Sequence, residues 1–362
     1  MNTPQQALLR LHLTPRLGRV ALFRLHHYFG HFNSALTAPP QQWREAGVTE
    51  KLCATIPSEN EPNFQRILKK LETMQIRLIS FWDDDYPTLL REIHDPPALL
   101  YLRGKLPNKE CFAIVGSRRA TRTGLMATRD LATSLASHDI CIVSGLARGV
   151  DSAAHRGALD AKGATIAVLG CGIDKIYPPE NSKLYLEICE NNAIISEYPP
   201  ETPPLAGHFP GRNRIISGLS RGVLIVEAAE KSGSLITGDF ALEQGRELFA
   251  IPGALQNPNS RGTNQLLKEG AQLVTEATDI LQVLWPHRPS VQQQEKYDGF
   301  SGQLEGQSLN VFQQLGHEPL HSDEIARQCG LTPMELSAIL LDLELRGGIQ
   351  ALPGHFYIRG KL

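Results

Sequence analysis

Metal-binding and membrane patterns are missing from this sequence of 362 residues. Its six cysteines, at positions 53, 111, 141, 171, 189 and 329, include no C-x-x-C pair and have no histidine at zinc-ligand spacing. We therefore expect buried, reduced thiols and no metal. No apolar run is long enough to cross a bilayer, and the N-terminus lacks the apolar core of a signal peptide. These absences predict a cytoplasmic protein.

Two common nucleotide-binding signatures are also missing. The sequence contains no G-x-x-x-x-G-K-[ST], which argues against a P-loop ATPase. The glycine-rich segment VGSRRATRTG at 115–124 is not G-x-G-x-x-G, and no acidic residue closes the next strand to hold a ribose. We therefore expect no nucleotide cofactor.

Acidic residues are scarce in three segments, although the whole chain has a formal net charge of −2. Residues 1–44, 111–129 and 205–226 contain no Asp or Glu. The arginines in them are Arg10, Arg16, Arg19, Arg24, Arg44, Arg118, Arg119, Arg122, Arg129, Arg212, Arg214 and Arg221. The composition thus gives no global nucleic-acid signature, but it predicts local positive patches that suit a polyanion.

Residues 1–75 read as short amphipathic helices. Apolar positions recur at helical spacing in LGRVALFRLHHYFG, which ends on Gly30, and two further helices are expected near 40–46 and 63–74. The pattern is like a SAM-type or helix-hairpin-helix unit. Such a unit either holds a DNA backbone or serves only as a packing or protein-contact module.

Residues 76–286 read as an α/β domain. Seven short apolar runs, each followed by a helical stretch, predict an extended Rossmann-like parallel sheet, and two strand-like pieces around Asp95 extend it. The turns after parallel strands meet at one edge of a sheet, so that edge is the expected binding site.

The C-terminal part reads as a linker and a small domain. Residues 287–309 have no periodicity and predict a linker, and residues 310–362 follow the plan of a winged helix-turn-helix. Residues 310–362 hold four basic and six acidic side chains. Because duplex DNA would be repelled, we expect a protein-contact or auxiliary role for this domain.

The turns at the sheet edge supply hydroxyls, backbone amides and guanidinium groups. This set binds phosphates without hydrolysing them. Its members are Gly116, Ser117, Arg118, Arg148, Ser232, Gly233, Ser234 and Thr237. Glu197 and Glu227 at strand ends could act as acid or base, but ion pairs with the arginines are the favoured interpretation, and Asp151 is expected to cap a helix.

The segment HFPGRNRIISGLS at 208–220 is predicted to begin a helix with basic and amide side chains, Arg212, Asn213 and Arg214. Phe209, ahead of the Pro210-Gly211 turn, either stacks on a base or packs in a core. The sequence alone leaves both interpretations open.

These motifs together resemble the DprA/Smf family of DNA-processing proteins. The resemblance rests on IVGSR at 114–118, SGLARGVD at 144–151, GCGID at 170–174, SEYPP at 196–200, FPGRNRIISGLS at 209–220, SGSLIT at 232–237 and GTNQLL at 262–267. It implies a single-stranded DNA-binding Rossmann-like domain between a SAM-like module and a winged helix, a homodimer, RecA as partner, and neither cofactor nor catalysis.

The resemblance also implies residue roles. Gly116, Ser117 and Arg118 would contact phosphates, with Phe209 at the rim for base contact. Arg148, Arg212, Asn213 and Arg214 would complete a basic pocket that Ser232, Gly233 and Ser234 close. Gly211 stands where many relatives carry a basic residue, which implies weaker binding at that point.

The sequence thus predicts a single-stranded DNA-binding recombination mediator that protects incoming DNA and helps load RecA in natural transformation. The alternative is a nucleotide-processing enzyme of the phosphoribohydrolase (lysine-decarboxylase-like) type, whose P-G-G-x-G-T-x-x-E motif is replaced here by SGSLITGDF without the glutamate. A transcription factor is a third reading, which the acidity of the winged helix disfavours.

Overall fold

The computed structural model describes residues 3–287, 300–316 and 319–360. The chain divides into two compact units, Met1–Ala277 and Thr278–Leu362. None of the helices in the described residues is long and apolar enough to cross a membrane.

The larger unit is built on one nine-stranded sheet. Its strands are β1 Arg77–Ser80, β2 Leu99–Gly104, β3 Cys111–Val115, β4 Cys141–Ser144, β5 Thr165–Leu169, β6 Ala193–Ser196, β7 Gly222–Ile225, β8 Glu247–Ala250 and β9 Gln272–Leu273. They lie in the order β1-β2-β6-β5-β4-β3-β7-β8-β9. Strands β3 to β9 pair in parallel, and β1 and β2 extend the sheet antiparallel beyond β6. The predicted extended Rossmann-like sheet is confirmed.

Apart from the edge strand β9, whose two residues are exposed, the sheet is largely buried on both faces, which explains why most of its strands are continuous apolar runs. Alternate residues of one strand enter two different hydrophobic clusters: Leu99 and Tyr101 of β2 belong to the first, and Leu100 and Leu102 to the second. Helices that follow the strands cover these faces: α6 Thr88–Arg91, α7 Arg122–Ser137, α8 Val150–Asp160, α9 Ser182–Asn191, α10 His208–Gly218, α11 Gly233–Glu243 and α12 Arg261–Lys268. A further helix, Ala277–Leu284, follows β9.

The N-terminal helices are part of the same core. They are α1 Thr3–His12, α2 Arg19–Phe29, α3 Phe32–Thr37, α4 Pro40–Glu45 and α5 Pro62–Thr73. α2, α4 and α5 correspond to the three predicted helices, and Gly30 ends α2 with a φ of +72°. The first hydrophobic cluster runs without a break from Leu9 and Trp43 in these helices to Ile194 in β6. Residues 3–75 therefore form a layer over the sheet.

The arginines of the first 44 residues do not form the free cationic face that their sequence suggested. Arg10 pairs with Glu59, Arg19 with Asp95 and Arg44 with Glu50. Arg24 donates to the Gly47 carbonyl. Acids from later segments therefore pair with a stretch that has none of its own, and the phosphate contact of this patch stays a prediction.

The smaller unit contains a winged helix, as predicted. Its helices are Gly306–Gln314, Ser322–Cys329 and Pro333–Leu345, and its strands β10 Leu320–His321, β11 Ile349–Leu352 and β12 Phe356–Arg359 pair in the order β10-β12-β11. The packed region begins before residue 310, because Leu304 and Phe312 share one core. The segment 300–309 is thus structured where a linker was predicted, since its few apolar residues are widely spaced. Residues 288–299 of that linker lie outside the described residues.

Trp43→Ala tests whether the helical layer and the sheet unfold together. The Trp43 side chain is fully buried, and its Nε1 donates to the Ala35 carbonyl at 2.9 Å. We expect the free energy of unfolding to fall by about 3–5 kcal/mol. The denaturant midpoint at which the buried Cys141 thiol in β4 becomes accessible to labelling should fall by the same amount as the unfolding midpoint. Val20→Ala, at an exposed position, is the control; an unshifted Cys141 midpoint in Trp43→Ala would show that the layer folds separately.

Candidate functional site

A cavity of about 770 Å³ opens at the carboxyl ends of the central strands. The order of the strands in the sheet reverses at β3, which lies between β4 and β7. Ligands of doubly wound sheets bind in the crevice at such a topological switch point. Of the residues predicted for the site, the cavity is lined by Gly116, Ser117, Arg118, Phe209, Arg212, Asn213, Ser232, Gly233, Ser234 and Thr237. Arg148 and Arg214 do not line it.

The loop after β3 is held by the start of α8. The Val150 amide donates to the Ser117 carbonyl at 3.2 Å, and the Arg119 amide donates to Ser117 Oγ at 3.1 Å. Gly149 has a φ of +77°, and a Cβ there would overlap the Ser117 carbonyl. The loop backbone is therefore fixed, and the Arg118 side chain projects into solvent.

Phe209 is half-buried at the cavity wall. Its ring centroid lies 5.5 Å from that of Tyr177, and Cζ of Arg118 lies 5.3 Å from it. The ring also rests on the backbone of Gly170, where a Cβ would come within 3.0 Å of Cδ1. Phe209 is therefore neither core nor isolated, and it forms a small aromatic and cationic surface with Arg118 and Tyr177.

The N-terminus of α11 faces the same cavity. Ser232 caps this helix, accepting from the Ser234 amide at 3.4 Å, and its Oγ lies 2.8 Å from Ser234 Oγ. Asn213 Nδ2 donates to the Gly233 carbonyl at 3.2 Å and so ties α10 to this turn. Thr237, one turn further, is buried. Hydroxyls and amides at a helix N-terminus make this wall suitable for an anion.

Arg212 lines the cavity, but the protein itself occupies most of its donors. Nη1 donates to the carbonyls of Gly145 and Val168, both at 2.5 Å, and Nε donates to Asn213 Oδ1 at 3.1 Å. Nη2 lies 3.7 Å from Asp151 Oδ2. Burial lowers the pKa of Arg212, and Asp151 offsets part of that shift. The guanidinium therefore joins the ends of β4 and β5 to α10, and its predicted phosphate contact is not its main role.

Two neighbours explain the position of Arg212. A Cβ at Gly145 would overlap the guanidinium, so only glycine fits there. Asp151 was expected to cap α8, but the cap is Gly149, and Asp151 lies in the first turn and accepts from the Ala147 amide at 3.2 Å. Burial raises the pKa of Asp151, and the Arg212 charge opposes this rise.

Arg214 contradicts its predicted phosphate contact. Its side chain is 8% exposed and donates to both carboxylate oxygens of Glu197 at 2.8 Å and to Asp95 at 3.0 Å. Residues two apart on a helix point roughly 200° away from each other, so Arg212 and Arg214 cannot face one ligand. Glu197 is an ion-pair partner, as the sequence suggested.

Arg148 lies beside the main cavity. Its Nε donates to Glu180 at 2.7 Å, and both side chains are exposed. A smaller adjoining cavity is lined by Arg148 together with Arg118 and Phe209. The predicted residue is thus at the edge of the site, where its carboxylate partner can be exchanged.

Glu227 is held by hydrogen bonds from neutral groups, where ion pairs were expected. It accepts from the Thr121 amide at 3.0 Å, from Thr121 Oγ1 at 2.5 Å and from Asn259 Nδ2 at 3.4 Å. This carboxylate anchors the loop that leads into α7. His155 is fully buried, its Nδ1 lies 2.7 Å from Thr165 Oγ1, and burial lowers its pKa to about 3.

Three residues that the sequence did not select also line the cavity: Arg119, Lys231 and Asn259. Arg119 and Lys231 are exposed and, in the part of the chain that the structure describes, form no ion pair. The sequence did not indicate Lys231 as a free cation, because the adjacent Glu230 suggested that its charge is neutralised. In the structure Glu230 instead pairs with Arg261 at 3.7 Å. Its position directly before Ser232-Gly233-Ser234 could have indicated that Lys231 lies at the site.

The comparison with family models fits this geometry. A model described as DNA recombination-mediator protein A matches residues 77–285, which contain the whole sheet, and one described as the DprA winged helix domain matches residues 301–355. The chain belongs to the DprA/Smf family. The resemblance drawn from its motifs is therefore confirmed.

Individual members of the family cover most of the chain. Protein Smf of Escherichia coli is 39% identical over 321 residues, spanning 86% of this chain and 85% of that protein. The crystal structure of DprA from Streptococcus pneumoniae has a TM-score of 0.68 and 35% identity, covering 78% of this chain and 98% of that one. A DprA structure from Helicobacter pylori, described for that protein's single-stranded DNA binding mode, has a TM-score of 0.54 and 35% identity, covering 60% and 98%.

Arg214→Ala tests the structural role of that residue. Removing the guanidinium leaves the largely buried Glu197 without its partner, while Asp95 keeps Arg19. We expect the free energy of unfolding to fall by about 3 kcal/mol. Arg129→Ala, which removes an exposed pair with Asp160, should cost less than about 1 kcal/mol and is the matched control. Denaturant titration compares the two. Equal stability of both variants would contradict the structural role of Arg214.

Proposed function

We propose that this protein binds single-stranded DNA without sequence preference and acts as a recombination mediator without catalysing a reaction. The observation that carries the proposal is the cavity at the switch point of the sheet. Exposed Arg118, Arg119 and Lys231 surround it, next to a half-buried aromatic ring and a helix N-terminus. Membership of the DprA/Smf family supports it, as does the DNA binding mode described for the H. pylori protein.

The cations and amides of the cavity suit phosphates. Among the described residues, Arg118, Arg119 and Lys231 form no ion pair, whereas internal carboxylates pair with the buried Arg212 and Arg214. Phosphate contacts of this kind release counterions and give affinity that does not depend on sequence. The Ser232 turn adds backbone amides and the positive end of the α11 dipole.

The aromatic surface selects unpaired bases. Phe209 with Tyr177 offers a partly exposed ring face, and Arg118 lies over the ring. Bases of a single strand stack on such a surface, whereas a duplex hides their faces. This combination favours single strands over both duplex DNA and free nucleotides.

The carboxylates near the site support a role in binding only. Glu197 is engaged by Arg214, and Glu227 holds Thr121 and Asn259. Neither is placed as a free acid or base, which weighs against the phosphoribohydrolase alternative. We expect no turnover of AMP or ATP, and a nucleotide product that disappears in Glu227→Gln would contradict this.

The proposed role in natural transformation extends to protecting incoming DNA and loading RecA, with the protein as a homodimer. Family membership supports these expectations. The acidic winged helix is proposed to contact protein. On its helix Pro333–Leu345, the exposed apolar side chains of Met334, Leu341 and Leu345 accompany Glu335 and Asp342. Light scattering tests the dimer, and RecA filament growth on protein-coated oligo-dT tests the loading.

Titration of labelled oligo-dT and the corresponding duplex at two salt concentrations tests the binding. We expect tighter binding to the single strand than to the duplex. Arg118→Ala and Lys231→Ala should each lower the affinity uniformly across sequences and reduce the slope of the logarithm of the binding constant against the logarithm of the salt concentration by about 0.7. Lys105→Ala, an exposed cation at the opposite edge of the sheet, is the matched control. Salt slopes that stay at the wild-type value in both cavity variants would remove the cavity from the mechanism.

Phe209→Ala separates stacking from charge. Loss of one stacked base should cost about 1–3 kcal/mol of binding free energy. The salt slope should stay near that of the wild type, because stacking releases no counterions. If the variant instead melts at lower temperature and binds normally per folded molecule, Phe209 serves the core.

A further inference from the structure

A groove of about 490 Å³ lies between the exposed faces of α7 and α8. From α7 it receives Arg122, Met126 and Arg129, which are spaced by four and three residues and so share one face of the helix. Arg156 of α8 and Arg148 complete a set of four arginines around one groove. Such a concentration of guanidinium groups along two helices suits a chain of phosphates.

The charges of the groove are available to a ligand. Arg122 is exposed and, among the described residues, has no carboxylate within ion-pair distance. The other three arginines pair with exposed carboxylates: Arg129 with Asp160, Arg148 with Glu180 and Arg156 with Glu187. Solvent-exposed pairs are weak, so phosphate oxygens can replace these carboxylates without leaving a buried charge.

The groove lies next to the main cavity and is linked to it through shared lining residues. The small cavity lined by Arg118, Phe209 and Arg148 joins them, because Arg118 and Phe209 belong to the main cavity and Arg148 to the groove. Both helices begin at this end of the sheet, α7 at Arg122 and α8 at Val150, so their positive dipole ends face the path. Met126, 56% exposed, adds an apolar surface for a base.

We propose that the groove between α7 and α8 is a second segment of the single-stranded DNA path, which receives the strand as it leaves the main cavity past Arg148. This proposal rests on the proposed function. We therefore expect the affinity for a strand too short to leave the cavity to be independent of the groove residues. A longer strand gains phosphate contacts in the groove.

The test compares a short oligo-dT of about 6 nucleotides with a long one of about 30. In the full-length protein, Arg122→Ala combined with Arg156→Ala should lower the salt slope for the long strand by about 1.4, at about 0.7 for each lost contact. The short strand should bind within about twofold of wild type, since its phosphate contacts are unchanged. Arg122→Lys with Arg156→Lys should restore most of the long-strand binding, and Lys105→Ala is the charge control.

Thermal melting of each variant verifies that the exposed substitutions leave the fold intact. Wild-type affinity and slope for the long strand in the double alanine variant would overturn the proposal, and so would an equal loss for both lengths. The DNA-binding proposal fails differently: the short strand would then not bind the wild type, or would bind independently of Arg118. An acidic protein partner in the groove would leave both oligonucleotides unaffected, which again overturns the DNA path.

Discussion

The buried guanidinium of Arg212 is the constraint on which the site depends. It joins the carbonyls that end β4 and β5 to the first turns of α10 and faces Asp151 of α8. A charge removed from water is stable only where polar partners surround it, so these loops must hold one arrangement. Gly145 is required by the same contact, since any side chain there would displace the guanidinium.

This arrangement separates two kinds of cation. Arg212 and Arg214 are internal, and carboxylates and carbonyls of the protein satisfy them. Arg118, Arg119 and Lys231 are external, and the rigid loops present them to solvent. The exposed cations can contact a ligand that carries many phosphates without any cost of separating buried pairs. The same division places exchangeable surface pairs, such as Arg148 with Glu180, along the neighbouring groove.

The sequence predicted the sheet well and the roles of its arginines less well. Apolar runs, most of them followed by glycine or serine, identified β3 to β9. Parallel strands that are covered on both faces are apolar throughout, so they stand out in the sequence as short continuous runs. Those turns also placed Ser117 and Ser232 in one cavity. Arg214 was misassigned, since a linear run of basic residues does not show that helical geometry turns it toward Glu197. The ion pairs of Arg10 and Arg19 could not be predicted either, because their acidic partners, Glu59 and Asp95, are distant in sequence.

The central claim is that a single strand lies in the switch-point cavity with a base against Phe209. Photocrosslinking of oligo-dT that carries one 5-iodouracil, followed by mass spectrometry of the peptides, tests it most directly. We expect adducts at Phe209 or Tyr177, which excess unlabelled oligo-dT removes and duplex DNA does not. Specific adducts confined to the winged helix or to α1–α5, with none in the cavity, would contradict it.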